Sequence, residues 1–523
     1  LFKPSELRGF FFFLRTFTMR SNLSYKSAFW LVSLAIIIAK ILFLLRPELD
    51  LFTEEAQYWL WSRNLAWHYY SKPPLVSFLN YISTSIFGNN EFGVRFNPII
   101  FGLGTSWVTY RFGSYLYGEK VGFWAAFILQ AMPFWWLISS FHTTDTSLTF
   151  FWSLMIYWLY RANKEQEIKW WVFAGLAAAL GLMAKVVMLL VIPYLILFFW
   201  QEGSIGRKWK KMILFFLVMA LGFIPVLVWN FQNDFMTFKH VANLAGAGGG
   251  AGGEESSFEI GKSLGRFFEF IGGQLAMISI FLLPLVYGSV KNVIKYRSQE
   301  KFYLVLPALL TFVGFGFLSF FTEILVNWTI FSYMGLPIIL SAWVVDQSEK
   351  WLKFRNWAVA ISVGLPLLLM LPDFTFFKSI PVIKNGEKLL YRRMSGYDPL
   401  ASRIDFLEDS LGLEEVFVFS ETYHMASELS FYLEDNPQTY MLNMGARKNQ
   451  FDLWPGLEQF VGNEKTGIFV SWNYDSPGKF ARFETLEYEE DFQVYFRGDS
   501  LRKAKIQIWK NLQGFDPYIP ETY

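Results

Sequence analysis

Cysteine is absent from this chain of 523 residues, and charged side chains are scarce at 17%. The missing thiols exclude disulfides, Cys-ligated zinc or iron–sulfur centres and a thiol nucleophile. A net formal charge of only +2 gives no indication of a nucleic-acid partner. Soluble domains usually carry about 25% charged residues, so the shortage of charge argues against an ordinary soluble protein.

Hydrophobic side chains, by contrast, make up 53% of the chain and aromatic ones 20%. A transmembrane helix needs a hydrophobic run of about 18 residues or more. The sequence therefore predicts a mainly α-helical, polytopic membrane protein with eleven transmembrane helices. The eleven runs lie near 27–46, 92–111, 120–139, 146–161, 169–184, 186–200, 211–230, 267–290, 302–320, 331–346 and 356–372.

After residue 372 the composition changes to that of a soluble domain. Residues 373–523 hold 16 Lys and Arg against 24 Asp and Glu, a net charge of −8. Strands are predicted at VFVFS, GIFVSW, FQVYF and KIQIWK, and an amphipathic helix at HMASELSFYL. We therefore expect a transmembrane part, 1–372, and a C-terminal α/β domain, 373–523, which either caps the first part or recognises an acceptor.

Lysine and arginine are distributed unevenly between the connections. With the N-terminus in the cytoplasm, 21 of them fall in cytoplasmic segments and far fewer on the other side. This bias predicts a cytoplasmic N-terminus, and an odd number of spans places the acidic tail in the periplasm of a bacterial cell. The first run has no small-residue cleavage site, so it is expected to be retained. Met19 offers a more conventional start than Leu1.

An aromatic outer segment, 47–91, is expected to lie at the membrane interface as short helices. It contains the pair Glu54–Glu55 after Thr53. Such carboxylates either stabilise the start of a helix or accept a proton from an acceptor hydroxyl or amine. Asp145, at the start of the fourth run after Thr143, has the same two interpretations on the same face of the membrane.

Three lysines have positions that suggest function. Lys72 precedes two prolines, so it marks either a loop-to-helix boundary or a positive charge for a phosphate. Lys185 lies in a very short hairpin between two apolar runs, and ionisable residues at membrane depth are functional candidates. Lys40, inside the first run, is a weaker candidate because a lysine there can snorkel to the surface.

Two other patterns carry less weight. The second outer segment, 231–266, contains GGGAGG, but it lacks the strand and helix of a nucleotide-binding fingerprint, and a flap over an outer cavity is expected instead. His68 and His142 lie near the proposed site. Spacing of the HExxH kind is absent, so no metal ligands are predicted, although a divalent metal is not excluded.

The stretch 51–100, from the acidic pair through KPP to EFGVR, resembles the first-loop signature of the bacterial family 39 glycosyltransferases. These form the protein O-mannosyltransferase and aminoarabinose-transferase group, which has the membrane-embedded GT-C fold. Further stretches of the chain resemble the same family. Before the tail they are FHTTDTSLTFFWSL, GLMAKVVMLLVIPYLILFF, PVLVWNFQNDFMTF and VNWTIFSYMGLP, and in the tail they are ASELSFYL and GARKNQFDLWPG. The resemblance covers most of the chain.

The resemblance implies that a sugar passes from a polyprenyl-phosphate donor to an acceptor on the outer face. The acceptor is lipid A, another envelope glycan or a protein. It implies Glu54 as the general base, where the family usually has Asp, with Glu55 sharing the role. Asp145 matches the second acidic position. A carboxylate opposite the departing phosphate would give in-line attack and inversion at the anomeric carbon.

The donor side of the site is predicted to be cationic. Lys72 matches the KPP lysine of the family, and positive charge stabilises a phosphate as its bond breaks. No resident cofactor is implied beyond the lipid-linked donor. Asn327 and Trp328 lie where the family commonly has NWP, whereas this chain has NWT. The predicted donor-binding residues are Lys72, Arg63, Tyr70, Lys185, Asn327 and Trp328.

Two other functions remain open from the sequence. A transporter or flippase of a lipid-linked substrate would share the spans and the buried charges, but it should show inverted repeats and broken helices near the midplane. No repeat is visible, and the candidate acids lie at one face. A non-catalytic membrane assembly factor is the third candidate.

Overall fold

The computed structural model describes residues 23–46, 49–239, 260–370, 391–496 and 498–519. The predictions for the N-terminal start and for the GGGAGG flap at 248–253 lie outside these residues.

Helices joined by short connections make up the described part before residue 371. They are α1 (Tyr25–Leu44), α2 (Thr53–Arg63), α3 (Leu75–Phe87), α4 (Glu91–Tyr117), α5 (Glu119–Gln130), α6 (Pro133–Ile138), α7 (Thr144–Glu165), α8 (Ile168–Ala184), α9 (Val191–Gln201), α10 (Ile205–Ala220), α11 (Ile224–Gln232), α12 (Ile260–Ile278), α13 (Leu283–Lys295), α14 (Gln299–Leu318), α15 (Leu336–Val345) and α16 (Glu349–Met370). The predicted hydrophobic runs are therefore helical, and the chain is mainly α.

The number of eleven spans is not confirmed. By length and composition, three described helical stretches are able to cross a membrane: Tyr25–Leu44, Ile205–Gln232 and Gln299–Leu318. A fourth span is counted if α12 and the following stretch, Ile280–Lys295, are taken together. The two are bent by 79° relative to each other. The count differs from the prediction because several other apolar helices, such as α8, are shorter than 18 residues.

Proline divides several of the predicted runs. Pro133, Pro284 and Pro337 each lie in the first turn of a new helix. Proline is favourable there because it needs no backbone N–H partner, whereas inside a helix it breaks the hydrogen-bond ladder. The run predicted at 120–139 accordingly becomes two helices, α5 and α6.

Small residues allow the helices of the bundle to approach closely. α4 packs against α5, and α7 packs against α8. A Cβ on Gly122 of α5 would lie 2.4 Å from the carbonyl oxygen of Tyr110 on α4. Since no side chain fits into that space, glycine is required for this helix pair to pack.

The predicted outer segment contains two short helices, α2 and α3. Phe52, and not Thr53, is the residue that precedes α2, so Thr53 is its first residue. Glu54 and Glu55 fall in the first turn of α2, and Asp145 falls in the first turn of α7. Pro74 directly precedes α3, as expected for a loop-to-helix boundary.

The tail, predicted to be an α/β domain, contains a mixed sheet of five strands. Its strands are β1 (Val416–Ser420), β2 (Tyr440–Met441), β3 (Thr466–Ser471), β4 (Ala481–Phe496) and β5 (Asp499–Phe515), in the order β2-β1-β3-β5-β4. β1 pairs in parallel with β2 and β3, whereas β5 is antiparallel to β3 and β4. Helices α17 (Tyr397–Leu411) and α18 (Tyr423–Tyr432) pack on it and close an apolar core.

The tail packs directly on the outer segment. Trp59 of α2 meets Phe431 of α18 edge-on, with ring centroids 4.9 Å apart. The Tyr432 hydroxyl accepts a hydrogen bond from the Leu51 backbone N–H at 2.7 Å. Gln450 likewise accepts one from the Tyr70 backbone at 2.7 Å. The tail therefore contributes residues to the region around the acidic pair.

Candidate functional site

A cavity of about 570 Å³ lies between the outer segment, the helical bundle and the tail. Seven of the nine predicted site residues line it. They are Glu54, Tyr70, Lys72, Asp145, Lys185, Asn327 and Trp328. Segments that are far apart in sequence therefore bring two carboxylates and two lysines to one space.

Glu54 is the more accessible of the two cavity carboxylates. Its side chain is 31% exposed, and Arg393 Nη1 lies 3.9 Å from its Oε1. The Thr53 hydroxyl donates a hydrogen bond to one of its oxygens at 2.9 Å. The first turn of a helix favours a carboxylate, and Glu54 lies at the cavity wall with part of its side chain accessible.

Asp145 is held by two partners. Lys185 Nζ donates to Oδ1 at 2.8 Å, and Asn327 Nδ2 donates to Oδ2 at 2.7 Å. The Asp145 side chain is only 4% exposed. Because each oxygen accepts a hydrogen bond, this carboxylate orients Lys185 and Asn327.

Lys185 occupies the break that follows α8. That helix ends at Ala184, and Lys185 has an extended backbone with φ −161° and ψ 134°. The side chain is 16% exposed and lines the cavity. The ion pair with Asp145 compensates its charge, so it adds little net positive potential.

Lys72 and Arg447 supply positive charge that is not compensated in this way. Both line the cavity, and neither forms an ion pair with any residue in the described part of the chain. Burial, reinforced by the Lys185 and Arg447 cations, lowers the pKa of Lys72 to about 8, although Asp145 and Glu54 act in the opposite direction. The cavity is thus lined by two such cations and by an accessible carboxylate.

Glu55 lies away from the cavity. It is fully buried and pairs with Arg95, with Oε2 to Nε at 3.3 Å. It also accepts hydrogen bonds from the backbone N–H groups of His142, at 2.7 Å, and Phe52, at 3.0 Å. With these partners Glu55 joins the starts of α2 and α7, and it is not among the residues that line the cavity.

The expected donor contact at Arg63 is also absent from the cavity lining. Arg63 is exposed in the last turn of α2. The dipole of the helix favours a cation in its last turn, and this local effect explains an arginine at position 63.

Three other candidates have local roles. Lys40 is buried, donates a hydrogen bond to Ser139 Oγ, and lies 3.9 Å from the centre of the Trp135 ring. Burial lowers the pKa of His68 to about 4 and that of His142 to about 3. Both histidines are therefore neutral at physiological pH. The described residues contain no group of three or more His, Asp or Glu arranged to hold a metal ion.

Sequence reasoning missed the residues that the tail contributes to the cavity. They are Met394, Tyr423, Arg447, Lys448, Asn449 and Gln450. The available signal was the basic pair in GARKNQ, which stands out in a tail of net charge −8. Only the packing of the tail on α2 shows that this pair faces Glu54 and Lys72.

Comparison with known proteins agrees with this architecture. Residues 71–229 match the model of the dolichyl-phosphate-mannose-protein mannosyltransferase family. The chain is 24% identical over 391 residues to the lipid A galacturonosyltransferase RgtD of Rhizobium johnstonii, covering 74% of this chain and 78% of the relative. It is 27% identical over 138 residues, 25% of this chain and 24% of the relative, to the undecaprenyl phosphate-α-4-amino-4-deoxy-L-arabinose arabinosyl transferase of Wigglesworthia glossinidia brevipalpis.

Solved structures extend the likeness to almost the whole chain. The crystal structure of ArnT from Cupriavidus metallidurans bound to undecaprenyl phosphate superposes with a TM-score of 0.65, at 14% sequence identity. Its apo form gives a TM-score of 0.63 at 15% identity. Each comparison covers 95% of this chain and 100% of the other. The resemblance to the GT-C glycosyltransferases is confirmed.

Within the GT-C fold, the tail is part of the likeness and not an addition to it, because 95% of the chain superposes. The family match, in contrast, begins at Ser71 and leaves out α2. Glu54 lies outside this match. It is a candidate for the general base because it lines the cavity and because its first-loop sequence resembles that of the family.

Proposed function

We propose that this chain transfers a sugar from a polyprenyl-phosphate donor to a cell-envelope acceptor at the outer face of the bacterial inner membrane. The observation that carries the proposal is the cavity in which Glu54 and the cations Lys72 and Arg447 occur together. One relative is named as acting on an undecaprenyl-phosphate-linked sugar and another on lipid A. A multi-pass chain with a cytoplasmic N-terminus and a periplasmic tail fits the charge bias of its connections.

Each group has a defined part in the reaction. Glu54 accepts the proton of the acceptor hydroxyl or amine as that atom attacks the anomeric carbon. The bond from the anomeric carbon to the phosphate oxygen breaks, and the polyprenyl phosphate leaves with the electron pair. Lys72 and Arg447 stabilise the negative charge on that phosphate. Direct attack opposite the leaving group inverts the anomeric configuration.

Asp145 and Asn327 act through other residues. Asp145 holds Lys185 at 2.8 Å and receives Asn327 at 2.7 Å, so it keeps the 3₁₀ turn Val326–Trp328 and the end of α8 against the cavity. Asp145→Asn is expected to raise the donor KM more than it lowers kcat, because it removes a positioning charge and leaves the base in place.

The decisive experiment uses the purified full chain in detergent with a panel of polyprenyl-phosphate sugars and envelope acceptors. Wild-type protein is expected to release polyprenyl phosphate and glycosylate an acceptor, measured by mass spectrometry. Lys72→Gln is expected to lower kcat/KM by about tenfold to a hundredfold through loss of phosphate stabilisation. Arg63→Gln is the matched control, since Arg63 is exposed outside the cavity. If no donor yields a product, or if both variants behave alike, the proposal is wrong.

A further inference from the structure

A second cavity, of about 740 Å³, lies on the tail side of the acidic pair. Its lining contains four cationic side chains and, among the described residues, no carboxylate. The cations are Arg392, Arg393, Arg502 and Lys503. Such a lining attracts and orients negatively charged groups.

Three side chains of the lining also carry buried polar atoms that lack partners. Arg502 Nε, His424 Nε2 and Trp472 Nε1 are buried and make no hydrogen bond to any described residue. The Arg502 guanidinium is held in place, with its carbon 3.7 Å from the centre of the Trp472 ring. Its Nη2 donates to the carbonyl of Ser395 at 3.0 Å. Since buried polar groups are normally paired, an occupant rich in oxygen acceptors fits this cavity.

The two cavities share a wall made from pairs of adjacent residues. Glu54 lines the first cavity and Thr53 the second. In the same way Met394 lines the first and Arg393 the second, with Arg393 Nη1 3.9 Å from Glu54 Oε1. An anion held in the second cavity is therefore next to the carboxylate assigned as the base.

We propose that the second cavity binds the phosphate-bearing headgroup of the acceptor glycolipid, so that an acceptor hydroxyl or amine reaches Glu54 through the shared wall. This inference rests on the proposed function, because it assigns the acceptor to the second cavity and the donor to the first. Lys503 already pairs with Asp491 at 2.9 Å, whereas Arg392 forms no ion pair with the described residues. Arg392 is therefore expected to contribute more of the attraction.

The test compares two double variants of the full chain. Arg392→Gln with Lys503→Gln removes two exposed cations from the cavity. Lys479→Gln with Arg482→Gln removes one lysine and one arginine that are exposed elsewhere in the same tail. The probes are lipid A, the same lipid after removal of its phosphates, polyprenyl phosphate and inorganic phosphate. Binding to protein in detergent is measured at two salt concentrations.

The cavity variant is expected to bind lipid A about tenfold more weakly than wild type, with a smaller dependence on salt. Its affinity for polyprenyl phosphate and for dephosphorylated lipid A should be unchanged, and the control variant should match wild type. Equal lipid A binding by both variants would overturn the inference. A parallel loss of polyprenyl phosphate binding would also overturn it, because that result would assign the cavity to the donor. Competition by inorganic phosphate at the concentrations at which lipid A binds would overturn it as well.

Sugar transfer, measured on the same samples, separates this inference from the proposed function. A raised acceptor KM with an unchanged donor KM in the cavity variant supports both. Absence of transfer by the wild-type chain contradicts the proposed function, while selective loss of lipid A binding in the cavity variant still supports an anion site.

Discussion

Glu54 and Glu55 are adjacent residues of one type, and the structure gives them different surroundings. Glu54 is partly exposed at the cavity, whereas Glu55 is fully buried against Arg95. A base must reach the proton that it accepts, and a buried carboxylate must be paired. Burial therefore favours Glu54 over Glu55 as the proposed base, a choice that the sequence left open.

The first prediction concerns the reach of Glu54. Glu54→Gln is expected to lower kcat by about 10²- to 10⁴-fold, since an amide does not accept a proton as a base does. Glu54→Asp, which restores the residue usual in the resembling family but shortens the arm by one methylene, should keep part of the activity. The measurement is steady-state sugar transfer, with thermal unfolding as the control for folding. Activity of Glu54→Gln within tenfold of wild type would show that another group is the base.

A second prediction concerns the pH dependence of donor binding. The pKa of Lys72 is lowered to about 8, so its ammonium is charged below that pH and becomes neutral above it. Donor affinity is therefore expected to fall as the pH rises through about 8. Lys72→Arg should shift that fall to higher pH, because a guanidinium remains charged. Donor KM measured between pH 6 and pH 10 tests this, and identical profiles for the two proteins would contradict it.

At the scale of the element, the buried pair Glu55–Arg95 connects α2 to α4. Arg95 also donates to the carbonyl oxygens of Leu44, Leu49 and Asp50, at 3.3, 3.2 and 2.6 Å. One guanidinium thus satisfies the end of α1, the following loop and the start of α2. Each acceptor would be costly to bury without a partner.

Arg95→Met is accordingly expected to destabilise the protein by about 3–5 kcal/mol, the usual effect of leaving one charge of a buried pair uncompensated. The double variant Arg95→Met with Glu55→Gln should recover part of that loss. Thermal unfolding in detergent provides the comparison. Arg111→Met on the same helix, where the guanidinium is exposed, is the matched control, and equal stability of the two single variants would refute the structural role.

At the scale of the whole molecule, buried carboxyl groups lie where the tail meets the outer segment. Burial raises the pKa of Asp50 to about 7, and it raises that of Glu428 well above its usual value. Asp50 accepts a hydrogen bond from the Tyr397 backbone at 2.6 Å, whereas neither oxygen of Glu428 has a hydrogen-bond partner among the described residues. The junction is therefore suited to a protonated Glu428.

We expect the raised pKa of Glu428 to make the stability of this junction depend on pH. A carboxyl group whose pKa is raised on folding contributes stability below its unfolded pKa of about 4, and that contribution is lost as the pH rises toward the raised value. Glu428→Gln is expected to unfold at a higher temperature than wild type at pH 8 and at nearly the same temperature at pH 5. Exposed Glu434→Gln is the control, and a Glu428→Gln effect that is equal at both pH values would contradict the prediction.

The local sequence predicted those features that depend on neighbours along the chain. The helical runs, the short helices around KPP, the strands VFVFS and GIFVSW and the helix at 423–432 follow from hydrophobic periodicity and helix-start signals. The number of spans was not obtained in this way. Proline divides several apolar runs, and hydropathy does not show how the shorter helices on either side are directed.

The sequence by itself determined a membrane-embedded helical chain with an acidic α/β tail, and it proposed Glu54, Lys72, Asp145 and Lys185 as candidates for the chemistry, all of which line one cavity. Only the tertiary structure decided that Glu55 is buried against Arg95, that Asp145 is held by Lys185 and Asn327, and that Arg447 lines the same cavity as Lys72. The physical reason is that burial and charge compensation arise between segments hundreds of residues apart. Neither property is encoded in the spacing of neighbouring residues.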